Sequence, residues 1–199
     1  MILHLLTGAL TGWSLIIAVG PQNALVLRQG IRREHLSVVL AICIIADVAL
    51  IGLGTIGVGG LILLVPWLLT ALKWLGAAYL VWFALITLRS AWHATGLRAD
   101  AQQRTRRQIV RTTLALTFLN PGVYLDTVVM VGNLANQQGA DGRWWFMLGA
   151  MAASISWFLV IGFGSRALAP VLAKPRVWQA IDVAIAVVIL GLAVRLVLS

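Results

Sequence analysis

The stretch "IIAVGPQNALVLRQG", residues 16–30, places the polar run GPQN (20–23) inside a segment that is otherwise almost wholly apolar. Proline has no backbone N–H, and its ring clashes with the preceding turn of a helix. In lipid, every backbone polar group must find a partner within the protein. The stretch therefore predicts a membrane helix that is interrupted at Pro21, with the amide side chains of Gln22 and Asn23 beside the interruption.

The composition around this stretch is that of a membrane protein. The 199 residues are 61% hydrophobic and 11% charged, whereas about a quarter of the residues of a soluble domain are charged. The net charge is +9, and most of the basic residues lie between long apolar segments. This distribution favours basic loops of a membrane protein over a nucleic-acid-binding surface. The single cysteine, Cys43, excludes an internal disulfide and a multi-cysteine metal site.

Six apolar stretches are long enough, at about 20 residues each, to cross a hydrocarbon core as helices. The start, "MILHLL", lacks the basic region of a secretory signal, so we expect the first stretch to be retained. Most Lys and Arg residues lie in the first, third and fifth loops, which the positive-inside rule places in the cytoplasm with both termini outside. Alternatively, the first stretch re-enters the membrane, leaving five spans and an internal N-terminus. The predicted spans are 5–27, 36–59, 67–88, 110–133, 144–165 and 178–198.

Short matches in a common order suggest an internal repeat. Pro21 has a counterpart in Pro121, and "IGLG" (51–54) in "IGFG" (161–164). Three spans per repeat force the halves to run in opposite directions, a construction typical of secondary transporters. We therefore predict an all-α integral membrane protein of six transmembrane helices in two inverted three-helix repeats. A single domain, 1–199, would comprise repeat 1 (about 1–88), a basic cytoplasmic linker (89–109) and repeat 2 (110–199).

The fourth stretch carries the second predicted interruption, in "TFLNPGVYLDTVVMVGN", residues 117–133. Half-helix ends near the membrane midplane bind anionic groups at exposed N–H groups and cations at freed carbonyls. Asn23 and Asn120 would complete the polar lining at Pro21 and Pro121. The alternative is a pair of ordinary proline kinks whose backbone groups are satisfied by neighbouring helices.

Two of the six acidic residues, Asp47 and Asp126, lie well inside apolar segments. A charge at the bilayer centre costs about 2.5–3.5 kcal/mol even on insertion scales, so it usually serves a function. We expect both carboxylates to point inward and to bind a zwitterion that carries an extra positive charge. The alternative is a structural ion pair with Lys73. Lys73 and Asp182 occupy matching repeat positions near span ends, where snorkelling to the interface explains them, with a role in gating as the alternative.

Other apparent motifs do not indicate an enzyme or a metal site. The G-x-G-x-x-G match at residues 52–57 has no preceding strand, so close helix packing explains its glycines better than nucleotide binding. His4, His35 and His93 are too scattered for a metal cluster or a catalytic dyad. The spans contain no plausible pair of nucleophile and base. We expect no enzymatic activity, no cofactor and no metal.

Three motifs together resemble the lysine/arginine exporter family of bacterial inner membranes: "GPQNALVLRQGIRRE" (20–34), "ADVALIGLGTIGV" (46–58) and "LNPGVYLDTVVMVGNL" (119–134). The similarity covers essentially the whole chain. It implies export of L-lysine, L-arginine or both across the inner membrane, driven by membrane energy without a cofactor. Related exporters of neutral amino acids vary around the first motif and remain the alternative. The residues implied to bind substrate are Gly20, Pro21, Gln22, Asn23, Asp47, Asn120, Pro121, Tyr124 and Asp126.

Energetics favour a coupled transporter over a passive pore. Moving one positive charge out of a cell that is negative inside costs about 2.3 kcal/mol per 100 mV. The hypothesis is proton antiport, in which Asp47 or Asp126 carries substrate outward deprotonated and returns protonated. Exchange with another cation, or a uniporter supplied by high internal substrate, is the rival mechanism. The expected partners are the substrate and membrane lipid, with a possible homo-oligomer.

Overall fold

The computed structural model describes residues 1–17, 20–57 and 105–167 without gaps, and isolated helical positions within 67–89 and 170–194. The predicted third and sixth spans fall largely outside the described residues, and so do Lys73 and Asp182. The described residues are helical and contain no strand, in agreement with the all-α prediction. In the three continuous ranges the elements are α1 (Ile2–Ile16), α2 (Pro21–Arg32), α3 (Leu36–Ile56), α4 (Arg106–Phe118), α5 (Pro121–Val123), a π-helix (Tyr124–Val131), α6 (Gly132–Asn136) and α7 (Gly139–Ala167).

Two of the described helices, α3 and α7, are long and apolar enough to cross a membrane, and α1 is a shorter apolar helix. α3 begins at Leu36 as predicted and ends at Ile56, where Gly57 takes a left-handed conformation (φ 107°) that closes the last turn. α7 is longer than the predicted span 144–165. Its 29 residues extend over about 43 Å at 1.5 Å per residue.

The first predicted span, 5–27, is occupied by two helices, because α1 ends at Ile16 and α2 begins at Pro21. Gly20 is the extended N-cap of α2 (φ −97°, ψ −179°), and Pro21 occupies the first helical turn. Proline is well tolerated there, since its missing N–H would have no intrahelical partner in any case. α2 then extends beyond the predicted span to Arg32, and Arg33 is its left-handed C-cap.

The fourth predicted span, 110–133, is divided in a comparable way. α4 starts earlier, at Arg106, because Thr105 and Gln108 form a reciprocal capping box. α4 ends at Phe118, and a short turn of helix starts at Pro121. It leads into the π-helix, whose i→i+5 hydrogen bonds are rare over more than one turn and recur at functional sites.

The helices α1 and α2 lie one after the other along α7 and run parallel to it. Gly8 of α1 faces Phe146, and Gly12 faces Ala150. At the far end, Gly30 of α2 packs against Ser165. The gap between α1 and α2 therefore falls beside the middle of α7 and not at either of its ends.

Small residues allow α1 and α7 to touch through their backbones. A Cβ atom on Gly8 would lie 2.0 Å from the carbonyl oxygen of Phe146, and one on Gly149 would lie 2.0 Å from that of Leu5. Helices in membranes associate through such small-residue contacts, because lipid provides no hydrophobic driving force between them. The glycines at 8, 12 and 149 thus position α1 against α7.

α3 runs antiparallel to α7, with Leu40 against Gly162 and Asp47 hydrogen-bonded to Ser154. Further along, Gly54 meets the π-helix so closely that a Cβ atom would lie 2.5 Å from the Val128 carbonyl oxygen. Gly54 of the 52–57 motif is therefore involved in close helix packing, as the sequence indicated, whereas Gly57 ends α3. The core between α2, α3, α4 and α7 consists of Leu25, Val26, Leu36, Val39, Leu40, Cys43, Ile109, Leu116 and Phe158.

This packing brings the first loop and the end of α7 to the same end of the molecule. Gly162 contacts Leu36 and Leu40 at the start of α3, and Gly30 contacts Ser165. The loop residues Arg32 and Arg33 therefore lie at the same end as Arg166. The opposite end holds His4, which hydrogen-bonds Gln138 (3.0 Å) just before α7 begins.

Candidate functional site

The site is built around Asp47, which lies near the middle of α3 and is 3% exposed. Ser154, near the middle of α7, donates a hydrogen bond of 2.9 Å from its Oγ to Asp47 Oδ2. The side chain of Gln22 also adjoins the Asp47 carboxyl. Three helices thus contribute a polar side chain to one buried place in an otherwise apolar interior.

The first turn of α2 supplies Gln22 and Asn23, both of which are buried. They reach the interior because α2 starts at Pro21, so its first turn lies beside the middle of α7. Asn23 donates from Nδ2 to the Ile16 carbonyl oxygen (2.9 Å) and accepts from Trp157 Nε1 (3.3 Å). Asn23 therefore connects the end of α1, the start of α2 and the middle of α7.

The second interruption has its own backbone caps, from two residues that the sequence predicted to bind substrate. Asn120 Oδ1 accepts a hydrogen bond from the Gly122 N–H (3.1 Å). Tyr124 donates its hydroxyl to the Phe118 carbonyl oxygen (3.0 Å). A helix end leaves carbonyls without intrahelical partners, and Tyr124 satisfies one of those at the end of α4.

The two interruptions therefore share a capping hydrogen bond that the sequence did not reveal. In each, a side chain from the helix after the gap caps a carbonyl at the end of the helix before it: Asn23 caps Ile16, and Tyr124 caps Phe118. Both helix ends gain a hydrogen bond without a continuous helix.

The two carboxylates expected to point inward differ in their surroundings. Asp47 is buried, whereas Asp126 is exposed on the π-helix. The neighbours Thr127 and Val128 are buried, because the π-helix turns them towards α3 at Gly54. Asp47 is therefore buried as expected and Asp126 is exposed, and substrate binding by either carboxylate stays a prediction.

The structure adds four residues near Asp47 or Asn23 that sequence reasoning did not single out: Cys43, Thr117, Ser154 and Trp157. Cys43 lies one turn before Asp47 on the same face of α3, and its thiol adjoins Gln22 and Thr117. Ser154 and Trp157 are three residues apart on α7 and so share a face of that helix. No spacing within the sequence connects them to Asp47, since 107 residues separate Asp47 from Ser154.

Gln22 and Thr117 are buried beside these groups: Gln22 adjoins the Asp47 carboxyl, and the Thr117 hydroxyl adjoins the Cys43 thiol. The described part of the chain contains no group of three or more His, Cys, Asp or Glu side chains that could hold a metal ion.

A buried carboxylate among uncharged polar groups, between apolar helices, is suited to bind a small cationic solute. The family model described as "LysE type translocator" matches residues 13–199. The chain belongs to the LysE family. Proteins of this family are membrane transporters, which agrees with the all-helical structure and its two apolar helices of membrane-spanning length.

Several curated proteins of the LysE family are similar to this chain over nearly their whole length. A protein named lysine exporter LysE, from Corynebacterium diphtheriae, is 42% identical over 97% of this chain and 98% of its own. An arginine exporter protein, ArgO, from Pectobacterium carotovorum is 41% identical over 96% and 95%. A putative amino-acid transporter from Mycobacterium bovis is 46% identical over 91% and 90%. No solved structure matches the chain.

Proposed function

We propose that this LysE-family protein exports basic L-amino acids, lysine and/or arginine, across the bacterial cytoplasmic membrane. The observation that carries the proposal is the buried Asp47, which adjoins Gln22 at the start of α2. Relatives named as lysine and arginine exporters, at about 40% identity over nearly full length, support the same substrate class.

The proposed architecture is a multi-pass transporter of six spans in two inverted repeats, with the first and fourth spans interrupted at Pro21 and Pro121. Three features support it: helices begin at both prolines, a side chain caps a freed carbonyl at each gap, and α1 and α2 follow one another along a single long helix. Alternating access in such folds moves one repeat against the other around a fixed site.

In the proposed mechanism, Asp47 binds a cationic group of the substrate in its deprotonated form. Polar groups from both interruptions complete the binding site, and Asp126 is a second acidic residue for binding or proton coupling. The full set of proposed substrate-binding residues is Gly20, Pro21, Gln22, Asn23, Asp47, Asn120, Pro121, Tyr124 and Asp126.

Proton antiport would supply the energy for export against a membrane potential that is negative inside. Each positive charge moved outward costs about 2.3 kcal/mol per 100 mV, and an incoming proton offsets that cost. A protonated Asp47 is neutral, so the empty carrier returns without moving a bare charge through a low-dielectric interior. Asp126 is the other candidate for this proton.

The test of the substrate class is efflux from cells loaded with arginine and lysine, at equal membrane expression of each variant. Asp47→Asn and Asp126→Asn are compared with wild type and with Asp141→Asn, an exposed aspartate at the start of α7. We expect efflux to fall at least tenfold in Asp47→Asn and in Asp126→Asn, and to remain in Asp141→Asn. Normal efflux in both test variants would refute a cation site at these carboxylates.

The coupling is tested separately in vesicles at fixed membrane voltage. Collapse of the proton gradient is expected to slow lysine or arginine transport, because the return step needs a proton. Transport that does not change under these conditions would exclude proton antiport and favour exchange with another cation or uniport.

The alternative function is export of neutral amino acids or of another small cation. One observation favours it: every polar group described around Asp47 is uncharged, and an α-ammonium group, which every amino acid carries, also suits a single carboxylate. A competition panel of basic and neutral amino acids in the efflux assay separates the two possibilities.

A further inference from the structure

One side of α4 changes from basic to apolar along the helix. Arg107, Arg111, Leu114 and Phe118 are all exposed. With 3.6 residues per turn, their positions fall within about 60° of one another around the helix axis, so they share one face. We define the outer face of α4 as these four residues.

The opposite side of α4 packs against the rest of the protein. Ile109, Thr113, Leu116 and Thr117 are buried, and Ile109 and Leu116 belong to the core that α4 forms with α2, α3 and α7. The outer face therefore points away from these helices, and it is free to meet lipid along its length.

α4 begins at the end of the molecule that carries the first loop. Ile109 packs with Leu36 at the start of α3, whereas Val128, beyond the end of α4, packs with Leu50 further along α3. The two arginines of the outer face consequently lie towards the end that the positive-inside rule assigns to the cytoplasm. Its two apolar residues lie deeper in the predicted span.

The charges of the outer face are unfavourable without a bound anion. Arg107 and Arg111 are four residues apart on a helix, a spacing at which like charges repel each other. Arg107 also lies in the first turn of α4, which contains no acidic residue and where the positive end of the helix dipole disfavours cations. The sequence has no Asp or Glu between Asp100 and Asp126. An anion at the two arginines would relieve both repulsions.

We infer that the outer face of α4 binds an anionic phospholipid, with the head-group phosphate at Arg107 and Arg111 and an acyl chain along Leu114 and Phe118. Seven residues separate each arginine from its apolar counterpart, which corresponds to about 10 Å along the helix. This rise exceeds the roughly 5–8 Å depth of one head-group region, so the face extends from the phosphates into the hydrocarbon. The inference concerns a lipid partner of this membrane protein and does not depend on which solute it exports.

The test is lipid binding to the full-length protein in a neutral detergent, measured by native mass spectrometry near physiological ionic strength. Charges more than about 8 Å from the phosphate are then largely screened. The probes are phosphatidylglycerol and phosphatidylcholine with the same acyl chains. We expect wild type to prefer phosphatidylglycerol about 30-fold, since each arginine near an anionic surface contributes about fivefold. Equal binding of the two lipids would overturn the inference without any variant.

A matched pair of double variants locates the preference. Arg107→Gln with Arg111→Gln removes both charges from the outer face and keeps residues that favour helix. Arg33→Gln with Arg166→Gln removes two exposed charges from the same end of the molecule but from other helices. We expect the first pair to lose most of the preference for phosphatidylglycerol and the second pair to keep it. An equal loss in both would overturn the inference, because the attraction would then belong to the net charge of that end.

Melting temperatures in detergent separate a folding defect from a binding defect. Without added lipid, the outer-face double variant is expected to be at least as stable as wild type, because a repulsion has been removed. Added phosphatidylglycerol should raise the melting temperature of wild type more than that of the variant. A variant that is markedly less stable without lipid would contradict the repulsion on which the inference rests.

Glycerol phosphate, which carries the anionic group without acyl chains, distinguishes a lipid from a free anion. We expect it to stabilise wild type far less than phosphatidylglycerol at the same concentration, since it leaves the apolar half of the outer face uncovered. Equal stabilisation by the two compounds would indicate a phosphate site alone and would overturn the assignment of a phospholipid.

Discussion

Ser154 Oγ donates a 2.9 Å hydrogen bond to Asp47 Oδ2, which joins the middle of α7 to the middle of α3. Both residues are buried, since Ser154 is 0% exposed and Asp47 is 3% exposed. The bond holds one oxygen of a carboxylate that the side chain of Gln22 also adjoins. Four predictions concern this site, the first interruption, the packing of α1 on α7 and the start of α4.

Ser154→Ala removes the hydroxyl that orients Asp47 and changes little else in the packing. If Asp47 binds the substrate, we expect the initial rate of efflux to fall by roughly tenfold or more, since hydrogen bonds to charged groups contribute about 1.5–3 kcal/mol. Initial rates at several internal substrate concentrations measure the effect. Ser165→Ala is the control, because Ser165 is also buried on α7 but bonds to the Gly162 carbonyl. Equal rates in the two variants would contradict the role of Ser154.

Trp157→Phe keeps an aromatic ring on α7 and removes the Nε1 donor to Asn23. Asn23 would then keep its bond to the Ile16 carbonyl but lose an anchor on α7, so we expect efflux to slow by roughly three- to tenfold, the range for one neutral hydrogen bond. Trp13→Phe is the matched control, since Trp13 Nε1 also bonds a serine of α7, Ser156, but at an exposed position. Efflux reduced as much in Trp13→Phe would show that the effect is not specific to the interruption.

Gly8→Ala places a Cβ atom 2.0 Å from the Phe146 carbonyl oxygen, so the backbones of α1 and α7 must separate. We expect a loss of stability of at least about 1–3 kcal/mol, seen as a lower melting temperature of the purified protein in detergent. Gly164→Ala makes the same substitution on α7 where no atom lies within 4 Å of the new Cβ. Because alanine favours helix, Gly164→Ala is expected to raise the melting temperature slightly. Melting temperatures that shift in the same direction in both variants would refute backbone contact at Gly8.

Thr105→Ala breaks the capping box that starts α4, and so does Gln108→Ala, because each side chain bonds the other residue's backbone N–H. Either substitution is expected to cost about 1 kcal/mol of stability. The two bonds form one motif, so the double variant should lose less than the sum of the single losses. Melting temperatures of the four proteins give the coupling. Strict additivity would mean that the two caps act independently.

Local chemistry explains why part of this structure was predictable. Pro21 and Pro121 disfavour a continuous helix, because proline lacks the backbone N–H, and a helical segment begins at each of them. Long apolar stretches predicted α3 and most of α7, and the burial of Asp47 followed from its place within such a stretch. The resemblance carried by the motifs around these residues also agrees with the family to which the chain belongs.

Features that depend on distant residues were not predictable in this way. The exposure of Asp126 depends on the π-helix, which turns Thr127 and Val128 towards Gly54 instead. The caps by Asn23 and Tyr124 need the helix after each gap to lie close to the end of the helix before it. Neither hydropathy nor spacing encodes that approach.

The sequence by itself indicated that the described part of the chain is helical and apolar enough for a membrane, and it predicted interruptions at Pro21 and Pro121. These properties follow from the backbone and from the free energy of transfer of each segment, which act locally. Tertiary structure alone decided that Ser154 of α7 bonds Asp47 and that Gln22 of α2 adjoins the same carboxyl. The reason is that glycine contacts such as those of Gly8 and Gly54 set how the helices lie against one another, and only that packing brings residues far apart in the chain to one buried carboxylate.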